Sequence, residues 1–158
     1  MNWQQVCEYP GLQNLPFKIE LDERGKIIMS PAKAYHALYQ AEISYLLRHI
    51  TKEGKALSEC PIRTRKGTKV ADAAWVSPER LKIIRYESEC SVAPEICVEI
   101  LSESNTDEEM AEKKQLYFEN GAKEVWFCTE QGLISFYSPE GRLDKSEMIP
   151  TFPIKIEL

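Results

Sequence analysis

The chain has 158 residues, a net charge of −5, and 43% apolar and 28% charged composition. That suits one soluble domain over residues 1–158 with a sizeable core. It excludes a spanning helix, since no apolar run approaches the roughly 20 residues a bilayer requires, and it argues against a protein that coats nucleic acid through bulk charge.

The opening stretch, MNWQQVCEYPG, lacks the basic and apolar regions of a secretory signal. FKIEL (Phe17–Leu21) and GKIIM (Gly25–Met29) flank the turn DERG and read as a β-hairpin. Ser30-Pro31 then offers a cap followed by proline at a first helical position. Tyr35, Tyr39, Ile43, Leu46, Leu47 and Ile50 have the spacing of one buried helical face. His36 and Glu42 fall on the edges of that face. A basic strand is expected from about Ala56 to Arg65, and VADAAWVS (Val70–Ser77) is the next. Ser77-Pro78 suits the start of a short helix through Ile84. PEICVEILSES holds an apolar strand, and SESNTDEE after it carries the caps and early acids of a helix start. Asn120-Gly121 ends that helix. EVWFCT and LISFYS form a second hairpin, and PIKIEL reads as a last strand. The order predicts an α/β (α+β) domain, with a central mixed β-sheet flanked by helices and an N-terminal β-hairpin.

Two strands carry an acid where apolar residues are expected: Asp72 in VADAAWV and Glu99 in ICVEI. An unpaired charge in a low-dielectric site costs several kcal/mol, so each acid needs a partner. Two carboxylates sharing a site repel unless a cation sits between them, and a hard ion such as Mg²⁺ suits such ligands. Taken singly, each acid could equally face solvent or pair with a base. On the helix after Glu99, Met110, Lys113 and Tyr117 share one stripe, so Lys113 faces the sheet and Lys114 points to water. A snorkelling stem is the other reading of Lys113. The run IRTRKGTK holds Arg63, Arg65, Lys66 and Lys69 without an acid. It could grip a nucleic-acid backbone or be a solvated hairpin. Five cysteines, none at CxxC spacing, argue against a zinc site or a disulfide framework and point to a reducing cytoplasm.

Order and spacing resemble the PD-(D/E)XK nuclease superfamily, and more closely the bacterial Uma-two family of restriction-endonuclease-like proteins. FKIELDERGKIIMSP is similar to that family's opening "ELxxGxxxxMSP", and His36 matches the histidine that follows. VADAAWVS resembles "PDxxxV", VEILSES resembles "VEVLSPS", and EKKQLYFENGAKEVWF resembles "EKxxxYxxxGVxEYW". Ala71 stands where the family has proline before the aspartate. The resemblance implies a restriction-endonuclease-like core and a Mg²⁺ (or Mn²⁺) site from Asp72, Glu99 and the carbonyl of Ile100. It moves the catalytic lysine from the position of Leu101 to Lys113. The activity implied is metal-dependent hydrolysis of phosphodiester bonds in nucleic acid, DNA by preference. A non-catalytic binding member, or a phosphodiesterase acting on RNA or nucleotides, is the alternative. Arg63 to Lys69 would then position the backbone without reading bases. His36 either bonds the helix start or borders the site. Glu42 is a candidate extra acid that a solvated helix edge explains better. Ser102 either contacts a ligand or, as we favour, caps the next helix. A homodimer is expected, because the second hairpin is apolar on both faces and must be covered.

Overall fold

The computed structural model describes residues 1–158. The chain runs α1 (Trp3–Glu8), β1 (Phe17–Leu21), β2 (Ile27–Pro31), α2 (Ala34–Ile50), β3 (Lys55–Thr64), β4 (Gly67–Val76), α3 (Pro78–Ile84), β5 (Ile96–Ile100), α4 (Asp107–Glu119), β6 (Glu124–Cys128), β7 (Ile134–Ser138) and β8 (Gly141–Leu143). Strands β3 to β8 form one six-stranded sheet in sequence order, and β1 pairs with β2 in a separate hairpin. Only β5 and β6 are parallel. A parallel pair needs a crossover, and α4 supplies it.

Each face of the sheet has its own core. Tyr39, Ile43 and Leu47 of α2 pack with Val98, Trp126 and Phe136 on one face. Met110 and Tyr117 of α4 pack with Cys97, Val125 and Phe127 on the other. The alternation along β5 and β6 therefore divides their side chains between two buried layers. A third, smaller cluster of Trp3, Val6, Leu21 and Val70 ties α1 and the hairpin to β4. The β3–β4 turn reinforces that junction. Gly67 has φ 91°, and a Cβ there would collide with the carbonyl oxygens of Leu21 and Asp22. The hairpin thus sits close against β4, which matters for the site.

Helix ends follow the capping chemistry where a donor is free to be capped. The Ser77 side chain accepts from the Arg80 N–H with Pro78 at the first turn. Thr106 and Glu109 form a capping box at α4, and Asn120 caps its end before Gly121 at φ 104°. Three expectations differ. Ser30 and Pro31 lie in β2 rather than at a helix start, because strand pairing from Phe17↔Pro31 to Leu21↔Ile27 claims them. The helix begins at Ala34, with no side-chain cap from Lys33. PIKIEL makes one bridge, Leu133↔Lys155, and forms no strand. Its apolar residue Ile156 instead joins Ile149 and Phe152 over the α2 face. Helix α1, with its Asn2–Gln5 capping box, and the short β8 were not anticipated. No helix is long and apolar enough to cross a membrane.

Candidate active site

The site lies where β4 and β5 part. Their ladder holds only from Trp75↔Ile96 to Ala73↔Val98. One residue beyond it, Asp72 turns its carboxylate into the widening gap. There its Oδ2 accepts the Ile100 N–H at 2.7 Å, a donor that β4 no longer pairs. Glu99 enters the same gap from β5. Both acids are buried, at 1% and 2% exposure. Burial at that level requires a partner for each.

The partners come from three elements. Lys18 on β1 reaches between the two acids, 3.0 Å from Asp72 Oδ1 and 3.4 Å from Glu99 Oε2. Lys113 on α4 lies 3.1 Å from Glu99 Oε1 and 2.8 Å from Glu20 Oε2. Tyr117, one helical turn on, donates its hydroxyl to Glu99 Oε1 at 2.6 Å. His36 Nε2 lies 3.2 Å from Asp72 Oδ2, so His36 borders the site rather than bonding the helix start. Glu20 also accepts the Val70 N–H at 2.6 Å, which holds the hairpin to β4. Three carboxylates therefore face two ammonium groups in one buried cluster.

That imbalance sets the protonation tendencies. Burial alone would raise Asp72, but Lys18, His36 and the Ile100 N–H outweigh it and hold its carboxyl well below the usual range. Burial would likewise raise Glu20, yet Lys113, Lys18 and the Val70 N–H bring it down. Glu99 goes the other way. Burial raises it, Lys113 and Lys18 pull against that, and the neighbouring Asp72 and Glu20 add to the rise. Burial disfavours the Lys18 ammonium, but Glu99, Asp72 and Glu20 more than restore it and raise its pKa.

The cluster opens into a cavity of about 310 Å³ lined by Lys18, Glu20, His36, Asp72, Glu99 and Lys113, with Ser102, Ser104 and Asn105 on its rim. Asp72, Glu99 and Lys113 thus meet as the spacing predicts, and Ile100 lines the same cavity. Lys114 lies outside it, 4.1 Å from the Tyr137 ring centre rather than free in water. Ser102 is on the rim and bonds Ser104 and Asn105, while Thr106 takes the capping role expected of Ser102. Glu42 stays on the half-buried edge of α2, away from the cavity lining. The basic run is paired throughout: Arg63 with Glu89, Arg65 with Glu119, and Lys66 with Glu112. Lys69 donates to the Leu21 carbonyl. It is not an unopposed stripe of positive charge.

Lys18 and Glu20 were missed. Their signal was present, since they alternate with Ile19 and Leu21 in FKIEL, but polar alternation normally marks a solvent face. No group of three or more His, Cys, Asp or Glu side chains is arranged to hold a metal ion. Two carboxylates in one cavity still suit a hard cation. Between those acids the structure places the Lys18 ammonium.

A mixed sheet with helices on both faces, bearing acids where two central strands diverge, defines a nuclease-like α+β fold. It is similar to the crystal structure of "a putative nuclease belonging to DUF820" from Anabaena variabilis ATCC 29413. The TM-score is 0.69 at 21% identity, over 89% of this chain and 80% of that one. The chain belongs to the Uma2 family, described as "Putative restriction endonuclease", whose model matches residues 3–153. A search of curated proteins found no match.

Proposed function

We propose that the protein is a divalent-metal-dependent nuclease that hydrolyses phosphodiester bonds, with DNA as the preferred substrate. The observation that carries this reading is the convergence of Asp72, Glu99 and Lys113, from three separate elements, at the head of one cavity. Family membership supports it. Asp72, Glu99 and the Ile100 carbonyl would hold Mg²⁺ or Mn²⁺, which supplies Lewis acidity and an activated water at neutral pH. Lys113 would stabilise the charge that grows on the phosphoryl oxygens. Glu20 orients Lys113 through their 2.8 Å contact. Lys18 neutralises the two acids in the absence of an ion and, with one bound, would be free to contact a phosphate. His36 restrains the Asp72 carboxylate.

A homodimer belongs to the proposal only for a duplex substrate, where cutting both strands needs two sites; a single strand needs one. The apolar faces of the second hairpin are covered within the chain, Trp126 by Phe152 on one side and Val125 and Phe127 by Met110 and Tyr117 of α4 on the other.

The test is a substrate panel of duplex DNA, single-stranded DNA, RNA and dinucleotides, each with EDTA, Mg²⁺ or Mn²⁺. Metal-dependent cleavage of a DNA member is expected, reduced about 10²-fold or more in Glu99→Gln. Binding without cleavage by the wild type would favour the non-catalytic reading. Cleavage confined to RNA or dinucleotides would move the substrate while keeping the site.

A further inference from the structure

A second cavity of about 180 Å³ adjoins the first, lined by Trp3, Phe17, Lys18, Ile19, Glu59, Pro61 and Val70. Phe17, Lys18 and Glu59 line both, so only these side chains separate the two. Three features of this second cavity have no role in holding the fold. The Trp3 indole N–H is the one buried side-chain polar atom in the protein without a hydrogen-bond partner. Trp3 is 9% exposed, and a buried donor left unpaired costs about 1–3 kcal/mol. Phe17, in the lining of the same cavity as Trp3, is 42% exposed. Glu59 has φ 51° in the middle of β3. That left-handed backbone is strained for a residue with a side chain, and it interrupts the ladder between Ser58↔Ala73 and Cys60↔Ala71, directly across from Asp72. An orphan donor, an open aromatic face and a strained acid thus gather beside the proposed catalytic groups.

We propose that this cavity is a nucleobase subsite, which takes an unpaired base of the strand whose phosphate lies at Asp72 and Glu99. The inference rests on the nuclease reading and narrows its substrate to single-stranded or locally unpaired nucleic acid. Every base offers a flat face for Phe17, and ring or carbonyl acceptors that a small turn of the indole would bring to the Trp3 N–H, which is shielded from solvent in the free protein. Amino or imino groups on the same edge would donate to the Glu59 carboxylate. Lys18 stands between the subsites, within reach of the linking phosphate. A base held inside a duplex cannot enter a pocket of this size, so pairing must be absent or opened at that nucleotide.

The test is fluorescence anisotropy of the full chain with a labelled ten-nucleotide strand, in EDTA and again with Ca²⁺. The arms are single-stranded DNA, single-stranded RNA, the same DNA as a duplex, and a strand made abasic throughout. Wild type should bind both single strands better than duplex or abasic strand. Phe17→Ala should weaken single-strand binding about tenfold. Trp3→Phe, which keeps an aromatic ring but removes the N–H together with part of the indole, should weaken it roughly fivefold at a temperature where the variant is folded. Glu59→Gly should melt at a higher temperature, because glycine relieves the positive φ, and still bind roughly fivefold more weakly. That sign is informative, since removing an acid for electrostatic reasons alone would tighten binding to a polyanion. Equal affinity for abasic and normal strands, or tighter binding by Glu59→Gly, overturns the subsite. If wild type nevertheless cleaves nucleic acid in a Glu99-dependent way, the nuclease reading stands without it. If wild type binds none of the four probes, both fall.

Discussion

Glu99 and Asp72 share one cluster and respond to burial in opposite directions. Asp72 is lowered in the folded state, so the stability it contributes is present above its ordinary value of 3.8 and is lost as pH falls through the folded one. Glu99 is raised, so its contribution is present below 4.5 and is lost as pH climbs through its folded value. Asp72→Asn should therefore cost about 3 kcal/mol near neutral pH, the usual penalty for breaking a buried pair. Glu99→Gln should cost nothing or stabilise, because Lys18 keeps Asp72 and Lys113 keeps Glu20. Urea midpoints across pH check both signs: the Glu99→Gln advantage should grow from about pH 4 upward, and a strongly destabilised Glu99→Gln would make Glu99 a structural ion-pair partner. Lys18 gives a separate handle. Lys18→Met removes the cation lodged between the acids, so the apo protein should lose stability and Mn²⁺ should bind about tenfold tighter, roughly 1.4 kcal/mol. Calorimetric titration with Mn²⁺ reads this directly, and unchanged or weaker binding would mean that Lys18 does not occupy the ion's place.

Among elements, α4 and the β1–β2 hairpin meet through Lys113 and Glu20. Sequence spacing puts Lys113 toward the sheet because Met110 and Tyr117 share its stripe, and both are buried. It does not show that a hairpin acid waits there. Lys113→Met keeps the apolar stem but strands Glu20, so it should destabilise by about 3 kcal/mol as well as lowering cleavage about 10²-fold. Glu20→Gln added to it should restore much of the stability and none of the activity. A double-mutant cycle in melting and cleavage separates the two losses. The parts legible in sequence are those fixed locally: Ser77-Pro78, Asn120-Gly121, and the alternation along β5 and β6, whereas the cap of α4 is Thr106 and not Ser102. The parts not legible depend on partners far along the chain. Lys18 meets Asp72 across 54 residues, and no local pattern distinguishes it from a solvent-facing lysine. Glu124 is similar. It reads as an ordinary strand-start acid, but is buried and accepts from Trp126, Ser146 and the Glu147 and Met148 N–H groups. The C-terminal PIKIEL misled because strand-like alternation also suits an irregular segment that buries every second or third residue.

For the whole molecule, the charge of −5 is accommodated by pairing rather than by separating the signs. The run from Arg63 to Lys69 looked like a phosphate track because its acids, Glu89, Glu112 and Glu119, lie elsewhere in sequence. With that run occupied, the cations at the cavity are Lys18, Lys33 and Lys113, the first and last of which would be free for phosphate once a divalent ion neutralised their carboxylates. Binding to single-stranded DNA should then lose affinity with salt at a slope of about −2 in log–log form, since each neutralised phosphate contributes about −0.7. A slope of about −5 or steeper would show that the Arg63–Lys69 run engages the strand after all. The central claim is that Asp72, Glu99 and Lys113 form a metal-dependent hydrolytic site. Its most direct test is the single-turnover cleavage rate of single-stranded DNA, with Mn²⁺ or EDTA, by wild type and by Asp72→Asn at a temperature where both are folded. The account predicts cleavage that requires Mn²⁺ and falls about 10²-fold or more in Asp72→Asn. Cleavage by Asp72→Asn at the wild-type rate, or cleavage undiminished by EDTA, would contradict it.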